Sequence, residues 1–232
     1  MFDKTLYNPR VLFFTLRCAL VVLVPYDRCS HFSYSSKMSS KTFPARSETV
    51  ALVGEILGNG KFKISEYVTG GSFGSFHLGT DQTTGERVGI KLEKKDAPQP
   101  QLFLEFGFYR SLAIGGVPFI PKLFYFGQCG DQLQWHALVI ELLGPSLLAI
   151  NDKCGGGFSI QTTVRLTYQL LNLFEYVHDH GLLYRDIKPE NFLIGLPQSD
   201  KWCTVCLIDM GFCKRYLDES NRHIEFKKGK PI

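Results

Sequence analysis

The chain lacks a disulfide framework: its seven cysteines are odd in number and follow no regular spacing. Cys203 and Cys206 form a C-x-x-C pair, but no second Cys/His pair stands at metal spacing, and a structural zinc needs four ligands. Residues 202–209 read as a buried strand, so two free core thiols are the expectation. A dominant charge is also missing. The formal net charge of +4 is mild, and the basic residues are scattered apart from Arg222, His223, Lys227, Lys228 and Lys230. That balance does not point to a nucleic-acid partner. Nor is there a comfortable membrane span: the apolar run over residues 11–24 is short and carries Arg17 near its centre. Membrane contact through 11–24, as a signal or anchor, stands as the lesser alternative to an unstructured extension, since no small-x-small cleavage site follows. The expected location is cytoplasmic, with nuclear or membrane-associated as alternatives.

What is present is an ordinary globular composition, 44% hydrophobic and 21% charged, with enough apolar residues for a sizeable core. Residues 1–60 read as an N-terminal extension and a Ser-, Thr- and Gly-rich linker without structure. From Lys61 the pattern changes to short alternating strands, one over residues 61–68 and its return over 75–79. Between them lies a glycine-rich turn holding Gly70, Gly71, Ser72, Phe73 and Gly74. A plain hairpin explains such a turn equally well. A strand ending in Lys91 follows, and then an apolar helix behind Pro100 whose only acid is Glu105. A carboxylate among Phe and Leu needs a partner if buried, and a Lys91–Glu105 ion pair accounts for both residues.

Downstream, a strand over residues 136–141 runs into Gly144-Pro145, and residues 159–180 read as the best helix in the chain. Its apolar residues Ile160, Val164, Leu170, Leu173, Phe174 and Val177 recur every three or four positions. The loop after it places Asp186, Lys188 and Asn191 between hydrophobic runs, and Asp209-Met210-Gly211 follows a further strand. An Asp, a Lys two residues on and an Asn five residues on form a demanding pattern. It resembles the protein-kinase catalytic loop, a likeness that implies an Asp accepting a hydroxyl proton and an Asn holding a metal ion.

Taken together these segments resemble a protein kinase. Residues 140–147, 100–105 and 184–195 further resemble the casein kinase 1 family of Ser/Thr kinases, and Tyr184 with residues 125–130 leans toward its gamma branch. The resemblance implies an α+β, bilobal protein-kinase fold. A β-rich N-lobe would span residues 61–142, and the first part of a helical C-lobe residues 143–232, ending before the peptide-binding loop. It implies ATP and Mg2+ as cofactors, and as partners protein substrates with acidic or pre-phosphorylated Ser/Thr sites. In the roles carried over, Asp186 is the catalytic base and Lys188 contacts the γ-phosphate. The glycine loop and Lys91, held by Glu105, bind phosphate, the backbone of Glu141 and Leu143 binds adenine, and Asn191 and Asp209 ligate magnesium. Lys188 points to Ser/Thr rather than Tyr acceptors.

Departures are visible. Thr69 stands for the first loop glycine, Leu148 and Ala149 replace an acidic pair, and Met210 replaces a Phe. Extra residues around 132–134 lengthen a hairpin. A catalytically inactive kinase-like module that binds nucleotide or a partner is therefore the alternative. Because the chain stops soon after the catalytic loop, the 159–180 helix is expected to leave part of its apolar face uncovered. Little phosphotransfer is expected from this polypeptide alone.

Overall fold

Alternating apolar residues between positions 56 and 141 build one antiparallel sheet in the computed structural model, which describes residues 45–71, 74–197, 199–218 and 220–225. Its strands are β1 (Ile56–Leu57), β2 (Phe62–Gly71), β3 (Gly74–Asp81), β4 (Arg87–Lys94), β5 (Leu123–Cys129) and β6 (Trp135–Glu141). Their spatial order is β1-β2-β3-β4-β6-β5. Because side chains alternate across a strand, β5 and β6 divide their residues between two apolar cores. Val88, Ile90, Leu92, Ala137 and Val139 fill an outer core, whereas Leu138 and Ile140 turn inward.

The outer core corrects the expected boundary at residue 60. Residues 45–60 are not a structureless linker: helix α1 (Ala45–Val50) leads into buried Leu52 and Leu57, which close the outer face of the sheet. Glu55 fixes this cover by accepting the Gly130 N–H (2.8 Å) and, through its backbone carbonyl, the Ile64 N–H (2.9 Å). A sheet with an apolar outer face needs such a cover, and a polar composition over 38–59 hides the two leucines that supply it. The 11–24 run lies outside the described residues. Among the described residues no helix is long and apolar enough to cross a membrane.

Helix α2 (Leu102–Leu112) packs on β4, β5 and β6 from the inner side. Its first turn is capped from β4: Glu93, buried, accepts the backbone N–H groups of Gln101 (2.8 Å) and Leu102 (2.9 Å). A carboxylate at a helix N-terminus satisfies donors that the helix itself leaves unpaired. Below the sheet follow α3 (Leu147–Lys153), capped by Ser146, and α4 (Ile160–Asp179), capped by Ser159. Two short ribbons complete the lower half: β7 (Leu182–Leu183) with β10 (Lys214–Arg215), and β8 (Phe192–Ile194) with β9 (Val205–Leu207).

Leu166, Leu170, Leu173, Phe174 and Val177 of α4 are buried in the inner core, but Ile160, Val164 and Tyr168 form an exposed stripe. The uncovered part of the helix face is therefore its N-terminal half. The strand expected over 202–209 shrinks to Val205–Leu207; Cys206 is a buried free thiol, while Cys203 is exposed in a turn with φ 63°.

His77 of β3 is wholly buried, with its Nε2 3.1 Å from Ser75 Oγ and no partner for Nδ1. Burial lowers its pKa from 6.5 to about 4. The folded protein thus holds it neutral where the unfolded chain takes up a proton. The stability this contributes is complete above pH 6.5 and is lost as pH falls toward 4, at up to about 1.4 kcal/mol per unit. Substituting His77→Gln should flatten that part of the curve, measured by urea unfolding at a series of pH values; an unchanged slope counts against this origin.

Candidate active site

The crevice between the sheet and the lower half is organised around one ammonium. Lys91 of β4 donates to Glu105 Oε2 of α2 at 2.5 Å and to Asp209 Oδ1 of the segment after β9 at 3.2 Å. Glu105 is 2% exposed. Burial would lower the Lys91 pKa, but the two carboxylates outweigh it and push it up to about 12. Burial in turn raises the Glu105 carboxyl against the pull of Lys91. The ordinary pKa values of the two groups lie about six units apart, so the shared proton stays on the lysine.

Asp209 is placed by its backbone. Its φ of 60° is in the left-handed region, and its N–H donates to the hydroxyl of Tyr109 at 3.0 Å. Tyr109 is buried beside Glu105 on α2, so one helix fixes both the partner of Lys91 and the position of Asp209. Met210 next to it is fully buried in the inner core, where its sulfur lies 3.4 Å from Cys213 Sγ.

Asp186 and Lys188 lead into a short 3-10 turn, Pro189–Asn191, that carries Asn191. Asp186 Oδ2 accepts from Lys188 Nζ at 2.6 Å and from Asn191 Nδ2 at 2.9 Å, and its backbone carbonyl also accepts from Asn191 Nδ2 at 3.0 Å. Asn191 is brought beside Asp209 by backbone pairing: its carbonyl accepts the Ile208 N–H at 3.0 Å, and Phe192 opposes Leu207. Tyr184, buried, donates to the Ile208 carbonyl at 2.6 Å and ties the same two segments together. Arg185, with φ 68°, donates through Nε to the Phe212 carbonyl at 2.7 Å.

The glycine turn continues the β2–β3 ladder to its tip, where Gly70 opposes Ser75 and Gly71 opposes Gly74. Gly74 has φ 121°, and a Cβ there would meet the Leu92 carbonyl oxygen at 2.1 Å, so no other residue fits. Ser72 and Phe73 lie outside the described residues. At the far end of the crevice β6 ends at Glu141, and Leu143 lies beyond the last ladder pair, with its side chain buried. The Glu141 side chain does more than its sequence position foretells. Its Oε2 accepts from Lys201 Nζ (2.6 Å) and from the Lys122 N–H (2.9 Å). Lys201, 4% exposed, also donates to the Ile120 carbonyl at 2.6 Å.

The donor set fits a hard cation shared with a phosphate. Asn191 commits its amide N–H to Asp186, which leaves Oδ1 for a metal, and Asp209 has a second oxygen beyond the one on Lys91. Among the described residues no three His, Cys, Asp or Glu side chains converge.

A protein kinase domain model matches residues 62–228 of the chain. The chain belongs to the protein kinase family. Casein kinase I homolog 2 and casein kinase I homolog 1 of Saccharomyces cerevisiae are 43% and 42% identical to it, and casein kinase I homolog RAG8 of Kluyveromyces lactis is 42% identical. Each alignment covers 172 residues, 74% of this chain and 31% of the relative. The chain thus spans about a third of the length of the curated relatives it matches, and these three are casein kinase I homologues. Three residues that shape this site escaped the motif pattern: Glu93, Tyr109 and Lys201. The first two sit inside ordinary strand or helix sequence. Lys201 follows Asp200 in a polar stretch that reads as solvated.

Substituting Lys201→Met strands the Glu141 carboxylate and should destabilise the kinase by roughly 3 kcal/mol. The pair Lys201→Met with Glu141→Leu should recover most of that loss. Urea unfolding of the three proteins checks it; equal losses in the single and double variants would show that the ion pair is not the cause.

Proposed function

We propose that this site transfers the γ-phosphoryl group of ATP to Ser or Thr hydroxyls of proteins. The observation that carries the reading is the Lys91 ammonium bridged to Glu105 and Asp209, residues of three separate segments that meet at the crevice mouth. Nothing in core packing requires a half-exposed Asp to join a buried Lys–Glu pair. Phosphate binding does, because it needs a cation fixed in place with a metal ligand beside it.

ATP with magnesium, when bound, supplies the electrophilic phosphorus and neutralises its charge. The chain's own groups do the positioning. Lys91, restrained by Glu105, offers its ammonium to phosphate oxygens, and the β2–β3 tip with Gly74 brings backbone close above them. Beyond Glu141 the backbone of 141–143 is the candidate purine contact. Its floor is Leu193: Phe192 and Ile194 pack toward the inner core, so alternation turns Leu193 toward the crevice, and its backbone bridges Ser146. Asp186, oriented by Lys188 and Asn191, accepts the acceptor hydroxyl proton as the oxygen attacks. Lys188 lies at hydrogen-bond distance from Asp186, where it can follow the transferred group.

The finer parts of this reading are the casein kinase 1 preference for acidic or pre-phosphorylated Ser/Thr sites, the gamma-like branch and a cytoplasmic location. The substrate preference is supported by Lys214 and Arg215, exposed on β10 directly against the strand that leads into the catalytic loop. Tyr184 and residues 125–130 support the branch.

Replacing Asp186 with Asn should reduce phosphorylation of an acidic Ser peptide by about 100-fold or more. The Kd for Mg-ATP should stay within about threefold. Equal transfer by both proteins would favour the alternative, a kinase-like binding module.

A further inference from the structure

β5 is the long edge of the six-stranded sheet; the opposite edge, β1, has only two residues. An edge strand invites pairing with another chain unless charge, proline or brevity blunts it. The seven residues of β5, Leu-Phe-Tyr-Phe-Gly-Gln-Cys, include neither a charge nor a proline. Its one register shift, between Leu123 and Tyr125, lies at its start. The ladder decides which of its backbone groups are spare. The Glu141 N–H donates to the Lys122 carbonyl (2.9 Å), and two residues further along β6 Val139 opposes Tyr125, then Ala137 opposes Gly127. Tyr125, Gly127 and Cys129 therefore bond to β6, and the N–H and C=O groups of Phe126 and Gln128 point away from the sheet. Among the described residues these outward groups meet no backbone partner. Between them, a Cβ on Gly127 would meet the Tyr125 hydroxyl at 1.9 Å, so the Tyr125 side chain lies across it. On the inner face Phe126 stacks on Phe106 (4.5 Å) and meets the exposed Phe103 edge-on (5.9 Å), so the edge offers apolar surface as well as backbone.

We propose that β5 is a dimerisation strand: two copies of this chain pair their β5 edges antiparallel about a two-fold axis at Gly127, joining two sheets into one. In that register Phe126 exchanges both backbone bonds with the second copy's Gln128, which uses all four outward groups of each strand. Gly127 meets its own counterpart as the pair without bonds, where Cα atoms approach to about 4.5 Å. Glycine leaves room there, because Tyr125 already fills the space a side chain would take. Charge sets the direction. Exposed Lys122 precedes the strand and exposed Asp131 follows it. Antiparallel pairing brings each Lys122 to the second copy's Asp131, whereas parallel pairing would bring like charges together. This self-complementarity favours a second copy over an unrelated strand.

Sedimentation velocity of the full chain over a range of concentrations should show a monomer–dimer equilibrium. Gln128→Pro removes one outward N–H per copy, at a position where an edge strand tolerates proline. It should weaken dimerisation about tenfold or more, with an unchanged urea midpoint reporting that the variant is folded. The exposed stripe of α4 is the competing site of self-association, so Val164→Glu is the control and should leave the dimer intact. The register has its own readout. A mixture of Phe126→Cys and Gln128→Cys proteins under a mild thiol oxidant should give a mixed disulfide-linked dimer. Either protein alone should link no faster than the unsubstituted chain, because only residues directly opposite lie within disulfide reach. A chain that stays monomeric at every concentration overturns the proposal. So does a dimer lost in Val164→Glu but kept in Gln128→Pro, or a mixture that links no faster than its parts.

Discussion

A lysine ammonium held between two carboxylates is the constraint around which this molecule is arranged. Glu105 cannot stay charged at 2% exposure without Lys91, because an unpaired buried carboxylate costs several kcal/mol. Lys91 in turn is presented by a central strand, hydrogen-bonded on both sides by β3 and β6, so it has little freedom to follow a displaced helix. The helix must therefore come to the strand. Two further contacts make it do so: Glu93, two residues along β4, caps the first turn of α2, and Tyr109 on the next turns of α2 receives the Asp209 N–H. Strand, helix and the Asp209 segment are located by one short chain of polar bonds inside an apolar surround.

The same logic joins the two halves. The inner core is continuous from α2 and Leu138 of the sheet down through α4 to Phe192 and Leu207. Polar bonds cross it at both ends: Tyr176 of α4 donates to the Leu112 carbonyl at the end of α2 (2.6 Å), and Lys201 donates to Glu141 at the end of β6. These crossing points flank the crevice and leave its middle, where Lys91 and Asp209 meet, lined by charge. The outer core has no such duty. It is a closed apolar layer under residues 45–57, and the buried His77 of β3 is held neutral.

Much of this was legible in the residues. The likeness to kinase motifs set Asp186 with Asn191 and singled out Lys91, and the cost of an unpaired buried acid set Glu105 against it. Helix α4 was legible for a different reason, its sustained apolar period closed by Ser159 and His180-Gly181. What stayed hidden was long-range and singular. Lys201 lies 60 positions from Glu141, and no local pattern distinguishes a buried lysine from a solvated one. Residues 45–57 misled because they follow a Ser- and Thr-rich stretch and read with it as linker, although Leu52 and Leu57 do the covering.

Two non-glycine residues in the left-handed region flank the reacting centre, Arg185 at φ 68° and Asp209 at φ 60°. Each costs about 1–3 kcal/mol and persists only where its surroundings over-determine it. Here the determinants can be named. Arg185 is tethered to the Phe212 carbonyl, and Asp209 is tethered at its N–H by Tyr109 and at its carboxylate by Lys91. Relaxing Asp209 to an extended conformation would redirect its carboxylate and break the bridge to Lys91. The strain and the ion pair are therefore one device. The burial energy of α2 and the inner core keeps a backbone bent that local preference would straighten. The bent backbone keeps the Asp209 carboxylate within reach of the Lys91 ammonium.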